Sequence, residues 1–308
     1  MRLDATGKVS LDQIYTRPDP RPYFRTLRDL GYCIPQLAKP HFAELVREYR
    51  EATGVRVPTI LDIGCSYGIN AALLQCDLTI DDLYEHYCDH GADERDRDWL
   101  LSRDRDLMRS RGSNAGMRFV GLDSSGPALS YALSAGFLGG AVHADLETRE
   151  PTPGQRAEIA AADLVISTGC VGYVGERTLS AVAGAHGRRK PWMAHFVLRM
   201  FPFDQIAARL AEAGYETEEL PGLYRQRRFA SPQEQSQVLD TLSRAGVDPR
   251  GLEADGWFYA RLFVSRPRVA AASAVVEPAS PADNDPSTIE VEDEIEQQPS
   301  VVAPYLRQ

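Results

Sequence analysis

The sequence predicts an α/β fold: a doubly wound, mostly parallel sheet with helices on both faces. Three observations predict it. Short apolar, β-rich runs alternate with helical stretches between residues 57 and 264, the pattern of a parallel sheet. The first run ends in a glycine turn, TILDIGCSYGIN at 59–70, and the carboxyl ends of parallel strands are where such sheets bind ligands. The chain has 308 residues, 43% of them apolar, enough for one large core.

The elements follow in order. Residues 1–55 precede the alternation and read as an N-terminal helical cap. Their PDPRPY restricts φ and disfavours helix in the residues before each proline; then PHFAELVREYREATG gives an amphipathic helix over 40–54, stopped at Gly54. The main domain is expected over 56–268. Strands are expected at 57–63, 117–122, 140–144, 163–167, 193–200, 215–220 and 257–264, seven in all. Helices follow the first strand (69–74), the second (PALSYALSAGF) and the fifth, where Ile206, Leu210 and Ala213 share a face. Another at 232–245 separates the last two strands. Between the first helix and second strand lies a helical insertion, about 77–113, whose charge alternation (DERDRDWLLSRDRDLMRSRG) suits an exposed helix with i,i+4 pairs. Residues 269–308 are rich in Ala, Pro, Ser and acid, and are expected to be disordered.

Charge and composition exclude several classes. The formal charge is -10, but eight acids against Arg307 from residue 269 onward account for -7 of it. The body is therefore near neutral, without the basic character of nucleic-acid binders. No apolar run approaches a membrane span, and MRLDATGKVSLDQ lacks a signal-peptide core. The five cysteines form no framework and are expected to be reduced. A cytoplasmic protein follows as the expectation; oligomeric state is not legible.

The turn carries the chemistry. Gly64 permits positive φ and lets a ligand lie against backbone. A dinucleotide site needs G-x-G-x-x-G for its pyrophosphate; here the turn reads G-C-S-Y-G, with Asp62 just before it. A carboxylate there repels pyrophosphate and attracts an ammonium group, directly or through water, which favours a zwitterionic ligand. LDIGCSYG resembles the first motif of the class I S-adenosylmethionine-dependent methyltransferases, D/E-x-G-x-G-x-G, and the resemblance covers roughly residues 57–267. It implies a Rossmann-like sheet with a reversed last strand and S-adenosylmethionine as cofactor.

By that resemblance Asp62, Gly64, Cys65 and Gly68 line the cofactor's methionine part, with Ser66 where the family has glycine. MRFVGLD supplies Asp123 at the end of the second strand, the place of the acid that grips both ribose hydroxyls; a carboxylate accepts both bonds. The bland reading of Asp123 is a helix cap for SSGPAL. Leu122 or Ser124 is expected beside the adenine edge. In HADLE, Asp145 takes the place of the acceptor from the adenine amino group, with the Leu146 N–H against the ring. In DLVISTGCVGY, Ser167, Thr168 and Gly169 face the methyl donor. The N-P-P-Y sequence that serves base or amide amines is absent. The expected function is methyl transfer to a small-molecule acceptor at oxygen or nitrogen. The alternatives are another use of the same cofactor (cyclisation, aminocarboxypropyl transfer), a nicotinamide-dependent oxidoreductase, and a non-catalytic scaffold.

Catalytic candidates are His195, in strand MAHFVLRM, as a general base or a core histidine, and Tyr173, as a contact to the sulfonium or substrate or a packing residue. Tyr23 and His41 are candidate lid residues. His86 and His90 stand at i,i+4, but Tyr87 replaces the glutamate of a zinc helix, so no metal is expected. The basic clusters 188–190 and 225–228 read as solvated loops before they read as anion sites.

Overall fold

The computed structural model describes residues 3–4, 6–89, 91, 94–112, 116–187 and 189–268. The acidic tail at 269–308 lies outside the described residues, as does His90. Helices α1 (Asp12–Tyr15), α2 (Arg21–Asp29) and α3 (Ile34–Thr53) lead to strand β1 (Thr59–Ile63) and α4 (Ile69–Gln75). The insertion holds α5 (Ile80–Cys88) and α6 (Arg97–Arg111). Then come β2 (Arg118–Asp123), α7 (Gly126–Ala135), β3 (Gly140–His143), α8 (Pro153–Ala160), β4 (Leu164–Thr168), α9 (Glu176–Ala185), β5 (Trp192–Leu198), α10 (Asp204–Glu212), β6 (Tyr215–Arg228), α11 (Pro232–Arg244) and β7 (Trp257–Pro267).

One seven-stranded sheet has the order β3-β2-β1-β4-β5-β7-β6. Only β7 runs against its neighbours, pairing antiparallel with β5 and β6. This is a Rossmann-like α/β sheet with a reversed last strand, as the sequence predicts. Strand order turns back at β1, which pairs with β2 on one side (Asp62 with Gly121) and β4 on the other (Asp62 with Ile166). The crevice beyond the carboxyl ends of these strands is therefore the ligand position. Alternation assigns the faces: Ile60, Ala194 and Phe196 pack on one layer, Leu61, Ile63, Met193 and Val197 on the other.

Three local findings depart from expectation. Helix α3 begins at Ile34, six residues early, and continues through Pro40. Pro35 fits its first turn, and burial of Ile34, Ala38, Phe42, Leu45, Val46 and Tyr49 offsets the hydrogen bond that Pro40 cannot donate. Strand β6 runs eight residues past Leu220, across register shifts. The insertion helix α6 is not merely a solvated rod. Its Asp104 is wholly buried and accepts from Tyr87 Oη (2.9 Å) and Tyr131 Oη (2.6 Å), with His86 Nε2 at 2.6 Å. His86 is thereby committed to a carboxylate that pins the insertion to α7. Among the described residues no helix is long and apolar enough to cross a membrane.

Candidate active site

A cavity of about 500 Å³ opens at the switch point, lined from β1 by Gly64, Cys65 and Ser66, from β2 by Leu122, Asp123 and Ser124, and from β3 by Asp145 and Leu146. Its size suits a nucleoside-sized ligand; small-molecule pockets run from about 300 to 1,000 Å³. Gly64 turns the chain with φ 67°, and a Cβ there would lie 2.7 Å from Cβ of Cys170. Ser66 also adopts the left-handed region, φ 50°, so the serine takes the glycine conformation at a cost of about 1 kcal/mol. Its Oγ is buried and has no partner.

Asp123 ties the two turns together. Its Oδ2 accepts from the Ser66 N–H (2.8 Å) and its Oδ1 from the Ser125 N–H (2.8 Å). Each oxygen keeps a further lone pair. Ser125, not Asp123, caps α7, through Oγ to the Ala128 N–H at 3.3 Å. Burial pushes the Asp123 carboxyl up, while the N–H groups of Ser125 and Ser66 pull it down.

Asp62 does not line the cavity. It is wholly buried behind Asn70, whose Nδ2 donates to both carboxylate oxygens at 3.1 and 3.2 Å. Burial pushes its carboxyl up to about 8, against the Asn70 bonds. Asn70 itself lines the cavity, and its Oδ1 has no partner. The amide thus stands between Asp62 and any ammonium group, which Oδ1 could accept.

Thr168 and Tyr173 also line the cavity; Gly68, Ser167 and His195 do not. His195 points to the opposite layer from Ala194 and Phe196. It is wholly buried near Phe203, with Nδ1 2.9 Å from Ser167 Oγ and Nε2 unpartnered. Burial holds its imidazole down to about 4, hence neutral. The structure keeps this histidine and Ser167 away from the crevice, because a strand shows alternate residues to alternate faces. Tyr173 donates its hydroxyl to Asp4, and burial raises the phenol well above its usual range. Tyr23 lines the cavity; His41 packs instead against Phe196 and Tyr224.

The sequence reading missed the wall built by the N-terminal segment and the end of β6. Lys8, Leu11, Tyr15, Tyr32, Gln226 and Arg227 all line the cavity. Residues 8–17 are held over it by Ser125 Oγ donating to the Tyr15 carbonyl (2.6 Å) and Tyr67 Oη to the Arg17 carbonyl (2.8 Å). Arg227 is no loop cation. It is buried and paired through Nη1 and Nη2 with Glu234 at 3.0 and 2.7 Å, while Arg225 and Arg228 stack on Trp257.

No family model matches the chain, and no curated protein matches it. Solved structures do. A TehB-like SAM-dependent methyltransferase from Corynebacterium glutamicum shares 15% identity, with 74% of this chain and 97% of that chain covered and a TM-score of 0.35. Magnesium protoporphyrin IX methyltransferase from Synechocystis, with bound SAM, shares 11% over 74% and 79%, with a TM-score of 0.36. The [4+2]-cyclase SpnF shares 14% over 73% and 80%, with a TM-score of 0.35.

Proposed function

We propose that this protein transfers the methyl group of S-adenosylmethionine to a small-molecule acceptor, at oxygen or nitrogen. The observation that carries the reading is the pairing of Asp123 with the Ser66 N–H across one cavity. It sets a carboxylate with spare lone pairs, suited to a vicinal diol, beside a turn whose left-handed backbone keeps side chains out of a ligand's way. The Asp123 carboxylate next to that turn disfavours pyrophosphate, whereas Asp62, neutral and screened by Asn70, contributes no such repulsion. The unpartnered Ser66 Oγ and Asn70 Oδ1 are the polar atoms such a cofactor would satisfy.

In this reading Asp123 holds the ribose, Gly64, Cys65 and Ser66 pass along the sulfur-bearing arm, and Asn70, backed by Asp62, accepts from the ammonium group. Asp145, Leu146 and Ser124 surround the adenine, and Thr168 stands at the methyl end. Bound S-adenosylmethionine supplies a methyl group already activated on a sulfonium. The chain's own task is to align the acceptor and keep water out, and the segment over the cavity from Lys8 to Thr16 serves that end. The five free thiols support a reducing setting such as the cytoplasm.

Calorimetry with S-adenosylhomocysteine tests this, with NADH as control. Wild type should bind the nucleoside in the micromolar range and ignore NADH. Asp123→Ala should weaken binding by about 1.5–3 kcal/mol, the scale of lost charge-assisted hydrogen bonds. Stabilisation by NADH with none by S-adenosylhomocysteine would overturn the reading.

A further inference from the structure

Lys8 is one of three lysines in the chain, with Lys39 and Lys190. The other two have oxygen partners: Lys39 reaches Asp77 at 2.6 Å and Lys190 the Ala213 carbonyl. Lys8 is 5% exposed and lines the cavity. Its Nζ lies 4.0 Å from the centre of the Tyr173 ring and 5.7 Å from that of Phe201. Among the described residues no carboxylate lies within ion-pair distance of it, and its three N–H donors have no hydrogen-bond acceptor.

The neighbouring acids are already engaged. Asp4 accepts from the Thr6 N–H (2.8 Å), the Thr6 hydroxyl (2.6 Å) and Tyr173. Glu234 accepts from Arg227 twice and from the Val9 and Ala230 N–H groups at 2.7 and 2.6 Å. The residue is buried but its ammonium opens onto the cavity, where no protein acceptor meets it, and an incoming anion would pair with it there. Aromatic side chains of Tyr15, Tyr23, Tyr32 and Tyr173 supply the rest of this wall, a surface for a flat apolar body.

We propose that the acceptor is a small aryl carboxylate whose anionic group pairs with Lys8. This deepens the proposed function, on which it rests, by naming the substrate class that shares the cavity with the cofactor. The electrostatics agree. Burial and the Arg227 cation hold Lys8 down to about 7, against Asp4 and Glu234, which pull it up. The Cys170 thiol and Tyr173 phenol are raised by burial and stay neutral. A bound carboxylate returns Lys8 to its charged form, so acceptor binding above neutral pH takes up a proton.

The test uses full-length protein labelled with ¹³C at the lysine ε-carbon, which gives three resonances, with Lys8→Met to assign one of them. Without ligand, the Lys8 resonance should titrate near 7. Benzoate, phenylacetate and cinnamate are then compared with their amides. At least one acid should raise the Lys8 midpoint by about one unit or more, and its amide should not. Lys8→Met should weaken that acid at least about tenfold and leave S-adenosylhomocysteine binding in place. A Lys8 resonance with no midpoint near 7, or acids and amides acting alike, overturns the proposal. Because the titration needs no nucleoside, failure of S-adenosylhomocysteine to bind would refute the proposed function separately. Should Lys8→Met not fold, the wild-type titration alone decides.

Discussion

Replacing Asp62 by asparagine should stabilise the protein relative to wild type, and increasingly so as pH rises from 4 to 8. Burial pushes this carboxyl up to about 8 in the folded chain, whereas an unfolded aspartate sits at about 3.9. Between those values the folded state holds a proton that the unfolded state has lost. The stability tied to the neutral carboxyl is therefore fully present below about pH 4 and is lost as pH rises through 8. At pH 7 the gap is about three units, or about 4 kcal/mol at 1.4 kcal/mol per unit. Asparagine at this position has no such titration. Its amide changes the bonds to Asn70 by a constant amount, so the informative quantity is the slope. Urea denaturation of both proteins at several pH values from 4.5 to 8.5 measures it. A difference that stays flat across the range, or that favours wild type more at high pH, refutes the buried neutral carboxyl.

Three further outcomes follow from the same structure. Ser66→Gly should raise stability by up to about 1 kcal/mol, because it relieves a left-handed serine; a lowered Tm contradicts this. Glu234→Ala should cost about 3–5 kcal/mol in chemical denaturation, since it strands the buried Arg227 guanidinium. It should also speed proteolysis near Val9, whose N–H loses its acceptor. His195, held down to about 4 by burial, should make wild type lose about 3 kcal/mol as pH falls from about 6.5 to 4, because the unfolded state takes up the proton first. His195→Gln should remove that slope and leave S-adenosylhomocysteine affinity unchanged.

The centre of the sheet was legible because β1, β2, β4 and β5 are short apolar runs bounded by glycine, proline or charge, and burial on both faces leaves little room for other readings. The turn was legible because Gly64 and Gly68 flank it and Asp62 precedes it. What the strands present was harder. In MAHFVLRM the alternation is plain, but which set of residues looks into the crevice depends on the neighbouring layers, and His195 fell on the closed side. The end of β6 was hidden because Pro221 and Gly222 interrupt the strand pattern after Leu220 and RQRR reads as a solvated loop. A register shift between Leu220 and Tyr224 absorbs the irregularity and delivers Gln226 and Arg227 to the cavity. Lys8 was hidden because the sequence around it has no periodicity; in the fold the Lys8 and Val9 N–H groups bond to the side chains of Asp4 and Glu234, outside any helix or named strand. Its one signal was the rarity of lysine in an arginine-rich chain.

Crystals grown with S-adenosylhomocysteine test the central claim most directly. Both ribose hydroxyls should lie within hydrogen-bond distance of the Asp123 carboxylate, with the thioether arm along residues 64–66 and the ammonium group at Asn70. A nucleoside bound elsewhere, or one in this crevice with its ribose turned away from Asp123, would contradict the account.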